Sequence, residues 1–433
     1  MELLSSTSAS GVETNVTIAS KSRVPHWLVV QCEPGSSPSC DAKRVDAVSV
    51  RGRHHVFIRY EEPDNASSGK EDKEVARVRV VKGDVHDQED VLVRVSMTNE
   101  LLTLDVTASR KTVEVVLLQK DQLQRVVNRG SGDVVVEDNV LATTGPSLSI
   151  AALGSGDTFA TSSGTVKVDT LTLSSTGSGL LQTSFSEIRV SKLVAEYYAS
   201  GDTALFVDSG GDADSVALIA EGSGDACLSW GSSMAVNQFE VEQVGSGDVS
   251  VGPRGSCQSA KLSMRGSGGL DVGGVQCDSV VVDLMSSGKV TVHATDSLAV
   301  EAYGSGHVKF TGAAPHAIAS TGASHVNPTP VKDSYLPTKC KRHKVPAIKS
   351  KYAALSTGVL ASAELDSAES SPPIAVHPGM VWHGMNRDQD NLVPLAAVVF
   401  LVAMVLRWFN NSRRRAREEQ REPLLGAQRR VYV

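Results

Sequence analysis

Apolar and polar residues alternate with a period of two in short runs that recur along the middle of the chain. One set of runs reads Val134 and Val136, Val249 and Val251, Leu270 and Val272, Val290 and Val292, Val308 and Phe310. A second set comes in threes: Leu148, Ile150, Ala152; Val216, Leu218, Ala220; Ala260, Leu262, Met264; Val280, Val282, Leu284. Alternation of this kind places the apolar side chains on one face of a strand. Some runs are weaker, such as Thr158 with Ala160 and Thr203 with Leu205, whose side chains are small.

A glycine marks the corner between the two sets. It recurs as Gly132, Gly156, Gly179, Gly201, Gly224, Gly247, Gly268, Gly288 and Gly306, and serine precedes it every time. The intervals, by subtraction, are 24, 23, 22, 23, 23, 21, 20 and 18 residues. A near-constant period in this range means stacked copies of one unit, and one such unit cannot bury its apolar face alone. Coiling the chain so that each unit sits on the last predicts an all-β fold, a single-stranded parallel β-helix with about 22 residues per rung. With rungs about 4.8 Å apart, the repeat makes a rod of roughly 45 Å.

Glycine at the corner is expected to supply a positive φ for the bend. Asp133, Asp157, Asp202, Asp225 and Asp248 follow the corner glycines and suit turns, because their carboxylates accept backbone amides. Stacked carboxylates also invite calcium. The column is interrupted by Leu180, Gly269, Lys289 and His307, so turn formation is expected and no metal.

These marks carry a family resemblance. Residues 95–325 resemble the putative auto-transporter adhesin, head GIN domain family of bacterial surface proteins. The resemblance rests on the Gly-Ser-Gly-Asp marks at Gly130 to Asp133, Gly154 to Asp157, Gly222 to Asp225 and Gly245 to Asp248. It also rests on the lead-in strand Val113-Glu114-Val115-Val116-Leu117, followed by Leu123 and Val126. It implies a right-handed parallel β-helix and supplies no catalytic residues to carry over.

Outside the repeat the composition changes. Residues 1–22 are rich in Ser and Thr and read as disordered. Strands are predicted at Trp27 to Val30, Val56 to Tyr60, Val75 to Val81, Val91 to Ser96, Leu101 to Val106 and Thr112 to Leu118. Residues 23–94 are expected to cap the open end of the helix, which would otherwise offer unpaired backbone, and 95–325 to form the helix itself. Residues 326–390 are rich in Pro, Ser and Ala and read as a stalk. The basic run Lys339-Cys340-Lys341-Arg342-His343-Lys344 within them is expected to be solvated.

The stretch 392–406, opening at Leu392 and closing at Leu406, holds no charged residue. Extended to 391–409 it predicts a transmembrane helix at the short end of the spanning range, with Arg407 snorkelling and Trp408 at the interface. Arg407, Arg413, Arg414, Arg415 and Arg417 follow it, while Asp388 and Asp390 precede it. The positive-inside rule then places the tail 410–433 in the cytoplasm and the solenoid outside. Residues 1–22 show no signal peptide, so a leader is expected upstream of Met1. A tail-anchored scaffold with a cytosolic solenoid is the rival topology.

Six cysteines bear on the compartment. Cys257 and Cys277 each stand eleven residues before a corner glycine, so they share a column in adjacent rungs and are expected to form a disulfide. Cys32 and Cys40 bracket a Pro34-Gly35-Ser36-Ser37-Pro38 loop and form a second candidate pair, which leaves Cys227 and Cys340 over. Such placement favours an oxidising compartment. Asn15 and Asn65 head glycosylation sequons usable there.

Chemistry is otherwise sparse. No nucleophile elbow, metalloprotease, phosphate-loop or dinucleotide motif occurs, and a net charge of −7 gives no hint of nucleic-acid binding. The adjacent His54 and His55 read as surface residues. A polysaccharide lyase or hydrolase would need clustered carboxylates beside a groove, yet the repeated aspartates lie at the corner. The outward position three residues before each corner glycine varies freely: Arg129, Leu153, Thr176, Tyr198, Glu221, Val244, Arg265, Met285, Tyr303. Variation on a rigid face suits recognition of a partner better than a shared reaction. The expectation is a non-enzymatic, membrane-anchored surface protein that needs no cofactor and binds an extracellular polysaccharide or protein.

Overall fold

The computed structural model describes residues 16–19, 27–32, 45–62, 74–81, 91–98, 101–108, 112–322, 328–331 and 340–347. Among them there is no helix; the secondary structure is all strand. The chain runs through β1 (Val16–Ala19), β2 (Trp27–Cys32), β3 (Ala47–Gly52), β4 (Val56–Tyr60), β5 (Glu74–Val80), β6 (Val91–Thr98), β7 (Leu101–Ala108) and β8 (Val113–Leu117). It continues through β9 (Arg125–Asn128), β10 (Val134–Val136), β11 (Thr144–Ala152), β12 (Thr158–Ser175), β13 (Leu181–Tyr197), β14 (Thr203–Gly222), β15 (Ala226–Trp230) and β16 (Ser233–Gly245). The last strands are β17 (Val249–Gly252), β18 (Gly255–Gly266), β19 (Gly269–Ser286), β20 (Lys289–Ala302), β21 (His307–Phe310), β22 (Ala317–Thr321) and β23 (Thr329–Pro330).

From β9 onward every pairing is parallel, and each coil lies on its predecessor in register. Just after the corner, Val134, Thr158, Leu181, Thr203, Ala226, Val249, Leu270, Val290 and Val308 form one continuous column. Before the corner, Ile150, Leu173, Ala195, Leu218, Val241, Leu262, Val282 and Val300 form another. All of these side chains are buried. Each fully buried Leu or Val contributes roughly 1.5–3 kcal/mol relative to exposure. The columns make a β-solenoid of about nine turns.

A coil contains three buried runs rather than the two expected. In β12 the inward buried positions are Thr158, Ala160 and Ser162, then Val166 and Val168, then Leu171, Leu173 and Ser175. The pairing with β13 shifts between Ser162 and Thr165, and the alternation changes phase between Val168 and Leu171. The middle run was not visible as a separate strand because its partners in the next two coils include Gly210 and Gly211.

The corner glycines are required for a different reason than their φ. None of the nine repeat glycines has a positive φ. A Cβ on Gly306 would stand 2.6 Å from the carbonyl oxygen of Gly288, and on Gly156 through Gly288 it would stand closer still to the glycine one coil below. The coils approach backbone to backbone here, and no side chain fits between them. Positive φ occurs two residues earlier instead, at Gly222, Gly245, Gly266 and Gly304.

The aspartates link the coils. The amide of Asp157 donates to Asp133 Oδ1 at 3.0 Å, and that of Leu180 to Asp157 Oδ1 at 2.9 Å. The ladder resumes as Asp225 N to Asp202 Oδ1 (3.1 Å), Asp248 N to Asp225 Oδ1 (2.9 Å) and Gly269 N to Asp248 Oδ1 (2.7 Å).

The N-terminal end departs from expectation. β3 pairs in parallel with both β7 and β9, and β4 with both β8 and β10. Residues 45–62 therefore form a full coil within the stack rather than part of a cap. The coil built by β7 and β8 lies beyond it, although it comes later in sequence. The solenoid thus draws on the chain from residue 45, not 95. The physical reason is the same column logic: Val48, Val50, Val56 and Ile58 alternate as core residues do. Capping falls to antiparallel strands: β5 pairs with β8, β6 with β7, β2 with β5 and β1 with β2. His54, expected at the surface, is buried at this first corner, directly beneath Gly132. His55 is exposed and lies 3.0 Å from Asp133 Oδ2.

At the other end β22 and β23 pair in parallel with β20 and β21 as an incomplete further coil. No helix among the described residues is long and apolar enough to cross a membrane. The apolar segment from Leu392 to Leu406 lies outside the described residues, as does Asn15, and so does Asn65.

Candidate recognition surface

The three runs of each coil fix three outward faces, and the faces that follow and precede the corner carry the features described below. The two faces differ in what lies over them.

On the post-corner face, outward positions Phe57, Val135, Phe159, Gln182, Ala204 and Cys227 form one column. Phe57, Val135 and Phe159 pack with Leu180 into a small apolar cluster separate from the core. Leu180 thus interrupts the aspartate ladder because it belongs to this cluster. Residues 340–347 lie along the next part of the column. Cys340 is bonded to Cys227, with Cα atoms 5.7 Å apart. The Arg342 guanidinium sits over the Phe206 ring, 4.4 Å from its centre, and reaches Asp208 at 2.8 Å. Gln182 clasps the backbone of His343, accepting from its amide at 2.7 Å and donating to its carbonyl at 3.1 Å.

Residues 340–344 of the basic run therefore form a strap held on the solenoid, while Lys341, Arg342 and Lys344 remain exposed to solvent as expected. Each of its side-chain contacts is one an outward column can make: a ring for a guanidinium, a carboxylate for its charge, an amide for a backbone. Cys227 and Cys340, left over by spacing, are partners. The available signal was that Cys227 stands at an outward position, so its partner had to come from outside the stack. Cys257 and Cys277 are bonded as expected, inside the core, with Cα atoms 4.4 Å apart in direct register. Cys40 lies outside the described residues, and so does its pairing with Cys32.

The pre-corner face is a broad parallel sheet. Its outward side chains include Tyr198, Val281, Met285 and Tyr303, exposed by 43 %, 50 %, 41 % and 44 %. Met285 and Tyr303 are neighbours on adjacent coils, since Tyr303 N donates to Leu284 O at 2.8 Å. The Tyr303 hydroxyl donates to Glu301 at 3.0 Å, which fixes the ring. Glu240 pairs with Lys261 at 2.9 Å across coils in the middle of the face.

At its N-terminal end this face is indented. A cavity of about 180 Å³ lies over β3, lined by Ala47, Ser49, Arg51, Asp105, Arg125, Val127 and Arg129, with Val48. The hollow exists because Ala47 and Ser49 are small while their neighbours are long. Register places Arg125 beside Ala47 and Asp105 beside Ser49. Arg129 stands beside Arg51, since its amide donates to Val50 O at 2.8 Å.

Nearby ionisable groups are structural. Glu114 is buried, 2 % exposed, and gripped by Arg59 through Oε1 and Arg79 through Oε2. Burial raises the Glu137 carboxyl above its ordinary range, against the pull of Arg59. Burial also works to raise Asp138, but hydrogen bonds from the Ser163 hydroxyl and amide outweigh it, and its carboxyl titrates lower than usual. Burial alone raises the Tyr197 phenol. Among the described residues no group of three His, Cys, Asp or Glu side chains is placed to hold a metal ion.

The fold defines the class: a parallel β-solenoid built on glycine-marked repeats. Residues 187–314 match the model of the family described as putative auto-transporter adhesin, head GIN domain. Among solved structures, the chain is similar to a putative adhesin from Parabacteroides distasonis at 13 % identity and a TM-score of 0.36, covering 66 % of this chain and 93 % of that one. A putative adhesin from Parabacteroides merdae aligns at 13 % identity and a TM-score of 0.31, covering 67 % and 92 %. A putative lipid binding protein from Parabacteroides distasonis aligns at 17 % identity and a TM-score of 0.28, covering 67 % and 93 %. No curated protein matches the chain.

Proposed function

We propose that this chain is a membrane-anchored surface protein whose right-handed solenoid presents a rigid face for adhesion or ligand recognition, without catalysis. The observation that carries this is the pre-corner face. Parallel ladders on both sides hold each coil, so outward side chains such as Tyr198, Met285 and Tyr303 are displayed on a fixed frame. Their identity changes from coil to coil, which favours one extended partner over a repeated reaction. The family match over residues 187–314 supports the adhesin assignment.

The anchor is the apolar stretch 392–406, with the arginines after it holding the tail 410–433 in the cytoplasm. The two disulfides fit an oxidising space outside the membrane. Residues 348–390 then serve as the linker, and Asn15 and Asn65 face a compartment where glycosylation occurs. No cofactor is needed, and the partner is an extracellular polysaccharide or protein.

The test is retention of the purified chain on immobilised cell-wall polysaccharides and matrix proteins. Saturable binding with no release of shortened polymer is expected. Release of oligosaccharide products would move the protein to the enzymes. In cells, the full chain should sediment with membranes after an alkaline wash, and deletion of 391–409 should free it. A chain that stays soluble at full length has no anchor.

A further inference from the structure

The hollow over β3 is a concave feature of the pre-corner face where like charges converge. Arg51 and Arg129 occupy one end, side by side on strands about 4.8 Å apart. Arg125 opens β9 and Arg129 directly follows that strand, four residues on and about 13 Å away along extended chain. Among the described residues none of the three guanidiniums has a carboxylate partner, although the chain as a whole carries a net charge of −7. Most arginines placed near acids in this fold do pair, as Arg59, Arg79, Arg189 and Arg342 show. Three unpaired guanidiniums around a floor of small side chains leave their planar forks aimed at something outside the chain. Such forks match carboxylate and sulfate oxygens in two-pronged contacts.

The rest of the lining narrows the ligand. Asp105 and Ser49 sit at the centre of the hollow, between the cationic ends. A carboxylate and a hydroxyl there accept hydrogen bonds from ligand hydroxyls. A densely phosphorylated chain would be repelled by Asp105, and the lining holds no aromatic ring on which bases would stack. A lipid would require an exposed apolar wall, and Val127 and Ala47 are buried in the floor. Anions spaced along a chain that also bears hydroxyls describe an acidic sugar polymer. We propose that the groove formed by Arg51, Arg125, Arg129, Asp105 and Ser49 binds an acidic polysaccharide, with the arginines on its carboxylates or sulfates and Asp105 on its hydroxyls. This rests on the recognition function proposed above and names its ligand class.

The experiment measures binding of the full chain to immobilised polygalacturonate, dextran sulfate and unsubstituted dextran, with vesicles containing phosphatidylserine as a fourth arm. The first two separate a carboxylate ligand from a sulfate one. Binding to at least one acidic polymer is expected, with none to dextran, and it should weaken as salt rises. Arg51→Gln with Arg129→Gln should weaken that binding roughly tenfold or more, equivalent to about 1.4 kcal/mol. Lys167→Gln with Lys192→Gln removes the same charge from exposed positions elsewhere and should change it less than about twofold, the level of a screened surface charge. Equal losses in the two double variants would overturn the proposal, as would binding to vesicles alone. Retention on neutral polymers or proteins that survives the arginine substitutions would also overturn it, yet would leave the recognition function standing.

Discussion

At the scale of single residues, the solenoid is governed by what cannot be added at the corner. Gly247 in its coil and Gly224 in the one below illustrate this, because a Cβ on Gly247 would collide with the Gly224 carbonyl. Gly247→Ala must push two coils apart and is expected to cost about 2–3 kcal/mol, as overpacking does. Gly164→Ala is the control. Its Cβ would meet the Thr143 methyl at 3.4 Å and Ser162 Oγ at 3.8 Å, both side-chain atoms at ordinary contact, so the midpoint of urea unfolding should barely move. Equal effects at both sites would show that the corner is not sterically closed. Glu114 offers a second check. Glu114→Ala removes a carboxylate that is 2 % exposed and shared by Arg59, which keeps Glu61, and Arg79; a loss of about 1–3 kcal/mol is expected in urea unfolding. The glycine column was plain in the sequence; its cause was not, because spacing shows that small residues recur without showing what stands above them. Buried Glu114 gave no signal at all, since its partners come from β4 and β5, far away in the chain.

At the scale of elements, strand periodicity was the strongest guide. The expected strands at Val56 to Tyr60 and Leu101 to Val106 match β4 and the core of β7, because alternation reports burial directly. Order in space was less accessible. Nothing local tells that β3 lies between β7 and β9, because that arrangement is decided by which apolar face is left uncovered. The strap was hidden for a similar reason. Its residues are basic and polar, and only the facing outward side chains Gln182, Phe206, Asp208 and Cys227 give them a place. Cutting that tie has a readable outcome. In the oxidised chain trypsin should cleave slowly after Lys341 and Arg342; Cys340→Ser, or reduction, should speed cleavage there while leaving the coils intact. Unchanged cleavage would mean that the side-chain contacts hold the segment without the sulfur link.

At the scale of the whole solenoid, regularity and individuality are divided between inside and outside. Core columns repeat Val, Leu and Ala and are interchangeable from coil to coil. Outward positions are not, and they distribute charge along the pre-corner face: arginines at the N-terminal end, Glu196, Glu221, Glu240 and Glu242 in the middle, Met285 and Tyr303 toward the other end. The repeat announced the frame, but the arginine groove could not be found from it, because Arg51 belongs to a segment the repeat does not reach. Only the return of the chain brings Arg51 beside Arg129.

That return also sets a rule for shortening the protein. In a simple solenoid, trimming from one terminus peels off layers in order. Here residues 45–62 are sandwiched between 101–117 and 125–136, so a truncation to residue 95 extracts a slice from within the rod and leaves the slices on either side without their shared neighbour. The first coil in sequence also cannot be covered on both faces until partners 78 residues further on have been made, since Ala47 lies beside Arg125 and Val56 beside Val134, so it is locked in place late, in the manner of a keystone.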